Sequence, residues 1–91
     1  MDAWDRLLEH VEQQTTAVDD PDVDVLRELC VAAQTAGVDT ELDADDVARW
    51  LAGLLQAHRL VRTAHPEVEA DTDLANLLRI VTRWLHPPRP R

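Results

Sequence analysis

Residues Asp43 to Val61 read DADDVARWLAGLLQAHRLV, and their spacing decides the fold class. Val47, Trp50, Leu51, Leu54, Leu55, His58 and Val61 recur three and four residues apart, which gathers them on one side of an α-helix. Asp43 stands where an N-cap belongs, and the acids after it oppose the positive end of the helix dipole. Ala44, Ala48 and Ala52 recur every four residues beside that stripe and are small enough to let another helix approach closely, although alanine is also the strongest helix former.

The same periodicity appears three more times. Trp4, Leu7, Leu8, Val11, Thr15 and Val18 form one stripe before Asp19-Asp20-Pro21 interrupts it, because proline disfavours helix at the residue before it. Asp20 is then the expected N-cap of a second helix carrying Val25, Leu26, Leu29, Cys30, Ala33 and Ala36, closed by Gly37 in a left-handed C′ conformation. Asp71 or Thr72 should open a fourth helix with Leu74, Leu77, Leu78, Val81, Trp84 and Leu85 on one face and Ile80 widening it. Nothing alternates with period two over a useful length. The expectation is an all-α four-helix bundle, with helices near 3–17, 21–36, 43–61 and 72–86. Residues 1–86 form a single domain, followed by a proline- and arginine-rich tail at 87–91.

A 91-residue chain of 45% apolar content can bury roughly 60–65% of its unfolded surface in one core. Its charge is uneven. Residues 1–48 hold fourteen acids against Arg6 and Arg27, whereas residues 49–91 hold seven arginines against four acids. The net charge of −9 disfavours non-specific binding to nucleic acid, while the asymmetry favours electrostatically guided association between proteins. No stretch is apolar enough to span a membrane, the acidic start lacks the order of a secretory signal, and the single cysteine forms no internal disulfide. A cytoplasmic location is therefore expected.

Several chemistries lack their residues. Serine and lysine are absent, which removes serine nucleophiles, Schiff bases and the lysine of a phosphate-binding loop. His10, His58, His65 and His86 have no i, i+4 pairing for a metal. The acidic run from Asp20 places Val25 and Val31 where a calcium loop needs glycine and glutamate. Cys30 lies on an apolar helix face, where a free thiol behaves as a small hydrophobe. No catalytic residue, metal or cofactor is assigned, and no enzyme activity is expected.

Two surfaces stand out instead. Trp84, Ile80 and Leu77 broaden the fourth helix beyond what one neighbour needs, and with Trp4 they form the expected protein interface. Arg49, Arg59, Arg62, Arg79 and Arg83, with Arg89 and Arg91 of the tail, are the candidates for a basic patch. Cations near helix C-termini also answer the dipole. His58, inside an apolar stripe, is either a core histidine bonded to a free carbonyl or a pH-sensitive residue at an interface.

The leading expectation is a self-associating helical protein-interaction module, most simply a homodimer, of accessory or regulatory role. The alternative rests on Asp43 to Thr63, whose Leu60-Val61-Arg62 ending resembles the helix before the wing of winged-helix DNA-binding proteins. The resemblance covers under a quarter of the chain. It departs from the family in opening with three aspartates and in the acidic, glycine-free His65-Pro66-Glu67-Val68-Glu69 that follows. It implies a small transcriptional regulator contacting phosphates through the five arginines. An acidic nucleic-acid mimic is the inverse of that alternative.

Overall fold

The computed structural model describes residues 2–38 and 41–86, which form four helices: α1 (Ala3–Gln14), α2 (Val23–Thr35), α3 (Ala44–Ala64) and α4 (Ala70–Leu85). The chain is a small all-α four-helix bundle. Each helix packs against its neighbours in sequence, and α1 also packs against α4, so the four close into a ring with α2 and α4 at opposite corners. No helix among the described residues is long and apolar enough to cross a membrane. The proline- and arginine-rich tail at 87–91, with Arg89 and Arg91, lies outside the described residues, as do Asp39 and Thr40 of the acidic run.

The helix ends follow from local chemistry. Asp2 caps α1 by accepting from the Asp5 N–H at 2.8 Å, and Asp43 caps α3 by accepting from Asp46 N–H at 2.9 Å. The cap of α2 is Asp22, not Asp20: its carboxylate accepts from the N–H groups of Asp24 and Val25, while Pro21 is buried in the connection. α4 starts at Ala70, slightly before the expected Asp71 or Thr72, and Glu69 at its N-cap makes no side-chain cap hydrogen bond.

α1 stops at Gln14. The Thr15 and Thr16 hydroxyls donate to the carbonyls of Glu12 and Gln13, and this competition with the backbone ladder ends the helix early. Val18 therefore leaves the α1 stripe and is 98% exposed in the loop.

The end of α2 is a complete Schellman closure. Gly37 adopts φ 111°, its N–H donates to Gln34 O, and the N–H of Val38 donates to Ala33 O. Val38 is thereby folded back into the core. α4 ends with His86 at φ 50°, a left-handed conformation reached without glycine.

The core consists of Trp4, Leu7 and Val11 of α1, Leu26, Cys30 and Ala33 of α2, and Val38. From α3 come Val47, Ala48, Leu51, Ala52 and Leu55, and from α4 Leu77, Val81 and Leu85. The alanine stripe of α3 faces inward, with Ala48 fully buried and Ala44 packed at the margin, and α2 and α3 form the most extensive helix pair. Small side chains permit that close approach.

Trp50 departs from the expected core stripe and is 59% exposed. The buried face of α3 is rotated toward its alanines, which leaves Trp50 on the flank. The last buried residue of α3 is Leu55 and the first of α4 is Leu77, so the two helices continue past the core as an overhanging hairpin.

Candidate functional site

The overhang encloses the site. Leu54, Ala57, His58 and Val61 of α3 face Asp73, Asn76, Leu77 and Ile80 of α4 across an open groove of about 240 Å³. Leu54, Ala57 and Val61 sit at i, i+3 and i+7, and Trp50 lies one turn before Leu54 on the same row, so it prolongs the α3 wall. Trp50, Val61 and Ile80 are all exposed, and with the groove they make an apolar surface that no described residue covers.

Two arginines hold the overhang in place. Arg62 Nη1 donates to Val68 O at 2.6 Å and to Asp73 Oδ2 at 2.7 Å, bracing the α3–α4 turn from a largely buried position. Arg59 Nη2 donates to Asp19 O at 2.6 Å and Ala17 O at 3.2 Å, and its Nη1 lies 3.6 Å from Asp20 Oδ1. That guanidinium ties the α1–α2 connection to the side of α3. Part of the attraction between the acidic and basic halves is thus satisfied within the chain.

Three of the five arginines expected in the basic patch are engaged within the chain. Arg59 and Arg62 bind loop carbonyls, and Arg49 pairs with Asp46 at 3.0 Å. Arg79 and Arg83 alone of the five are exposed with no ion-pair partner among the described residues. They lie one turn apart on α4, beside Ile80 and on the solvent side of the groove rim.

The four interface candidates separate as well. Leu77 and Trp4 are 5% and 9% exposed and belong to the core, Leu77 reaching the groove only as part of its lining. Trp84 is half-buried and packs against the core. Ile80, 52% exposed, remains available. Trp50 and Val61 were missed as anchors because they fit the helix period as well as the buried residues do. The signal for them was the excessive width of the α3 stripe.

His58 lies in the groove wall. It makes no hydrogen bond to a free carbonyl: both ring nitrogens are shielded from solvent and have no partner. Burial lowers its pKa from the ordinary 6.5; as smaller influences the Asp73 carboxylate raises it and the Arg62 guanidinium lowers it. Cys30 is buried in the core, and desolvation pushes its thiol up to about 11, which keeps it protonated. Among the described residues no three His, Cys, Asp or Glu side chains converge to hold a metal. No strand follows α3 among the described residues, so the wing expected from the winged-helix resemblance is missing there. The chain matches no known protein family, no curated protein and no solved structure.

Proposed function

We propose that this chain is a non-enzymatic protein-interaction module, of cytoplasmic accessory or regulatory role, that docks through the α3–α4 groove. One observation carries the reading: a preformed apolar groove, bordered by exposed Trp50, Val61 and Ile80, stands outside the core on two braced helices. Exposed apolar side chains scattered singly are ordinary on a protein surface, but grouped along one concave edge they mark a contact. Aromatic and aliphatic anchors in such a setting supply most of an interface's energy. Duplex DNA suits the surface less well, because Arg79 and Arg83 offer few phosphate contacts against a net charge of −9.

The test is photo-cross-linking inside the cell that makes the protein, with a benzophenone side chain at Ala57 on the groove and at Gln13 on α1 as control. A discrete protein adduct from position 57, absent from position 13 and lost with Ile80→Asp, supports the reading. No adduct from position 57, or one indifferent to Ile80→Asp, overturns it.

A further inference from the structure

We propose that the groove's occupant is a second copy of this chain, which presents the outer face of its α2 in a head-to-tail contact. The inference rests on the groove being the docking surface and adds the partner and its orientation. On α2, Asp24 and Glu28 are four residues apart and Val31 follows at i+7, so the three share one exposed stripe. Neither carboxylate has an ion-pair partner among the described residues, and Val31 is 43% exposed. On α4, Arg79 and Arg83 repeat the same four-residue interval with the opposite charge, beside exposed Ile80.

Laid antiparallel, Asp24 meets Arg83, Glu28 meets Arg79, and Val31 comes level with Asn76 in the groove wall. The match cannot be made within one molecule, because α2 and α4 stand at opposite corners of the ring. It therefore joins copies. The groove meeting its own equivalent is disfavoured, since that would bring four arginines together around a surface whose Asp73 is already held by Arg62. Because the two complementary surfaces lie on different sides of the molecule, the contact is heterologous and adds copies in series rather than closing one symmetric pair.

Sedimentation and light scattering of the full chain test this directly. The weight-average mass should exceed 10.3 kDa and climb with protein concentration. Arg79→Glu/Arg83→Glu and Asp24→Arg/Glu28→Arg should each sediment as monomers. Mixing the two should restore association, because each variant then offers what the other needs. If either charge reversal loses helical circular dichroism, the neutral pairs Arg79→Gln/Arg83→Gln and Asp24→Asn/Glu28→Gln replace it, each lowering the association constant by at least tenfold. A wild-type chain that stays monomeric at about 1 mM, the weak end of the affinity scale, overturns the proposal. So does association that survives both sets of substitutions. A foreign protein cross-linked at position 57 with a monomeric wild type would retain the interaction module and reject the second copy.

Discussion

His58 shows how one side chain can be placed by periodicity and yet differ in chemistry from what periodicity suggests. Its position among apolar residues was legible in the i, i+3 and i+4 spacing of α3, but its lack of any hydrogen-bond partner depends on the facing α4, whose Asp73 carboxylate is already bound by Arg62. Two shielded nitrogens without partners forfeit solvation, which costs about 1–3 kcal/mol for such a group. The folded protein therefore favours the neutral ring, and His58 binds its proton less readily than in the unfolded chain. Folding stability from this residue is present above pH 6.5 and is lost as pH falls through the lower folded value, because the unfolded state takes up the proton first. His58→Leu should raise urea-measured stability by about 1 kcal/mol at pH 7. Between pH 6.5 and 5 the difference should widen as the wild type weakens. A constant gap across that range would mean that His58 does not titrate differently on folding.

The helices were more legible than their ends. Four amphipathic stripes, the Asp43 cap and the left-handed Gly37 could be read directly, since each depends on residues within one or two turns. The cap of α2 could not, because Asp19, Asp20 and Asp22 are chemically equivalent in sequence. Arg59, from a different helix, donates to the Asp19 carbonyl and pairs with the Asp20 carboxylate. Two glycines give opposite predictions from the same arithmetic. Gly53 lies in the exposed interior of α3 with nothing within 4 Å of where a Cβ would stand, so Gly53→Ala should stabilise by about 0.5–1 kcal/mol through lower unfolded-state entropy and better helix propensity. Gly37 holds φ 111°, where a Cβ meets the backbone, so Gly37→Ala should destabilise by about 1–2 kcal/mol and loosen Val38. Urea denaturation of both variants checks the pair. A destabilised Gly53→Ala chain would show that α3 needs flexibility at that turn.

For the whole molecule, the division of charge along the chain is only partly a division in space. Arg59 crosses to the α1–α2 connection and Arg27 pairs with Asp45, while much of the acid on α1 and α2 faces solvent. Sequence could count these charges but could not tell which arginines were engaged, since their partners are mostly distant in the chain: 40 residues separate Arg59 from Asp19. Of the five arginines expected in the basic patch, Arg79 and Arg83 are the two without an ion-pair partner among the described residues. Two electrostatic effects then compete in stability. A net charge of −9 on a small domain repels itself in the compact state, and salt relieves that repulsion. Exposed pairs such as Arg49–Asp46 contribute little and are screened as well, whereas Arg62–Asp73, with side chains 26% and 12% exposed, is sheltered from added ions. Self-repulsion should win. The urea midpoint should rise as potassium chloride increases from about 0.01 to 0.3 M, a range over which the screening length shrinks from about 30 Å to well under 10 Å. Asp24→Asn/Glu28→Gln, which removes two unpaired acids, should raise the low-salt midpoint and flatten its dependence on salt. A midpoint that falls with salt would instead make the exposed ion pairs net contributors to the fold. The surface acids could not then be assigned mainly to solubility and partner choice.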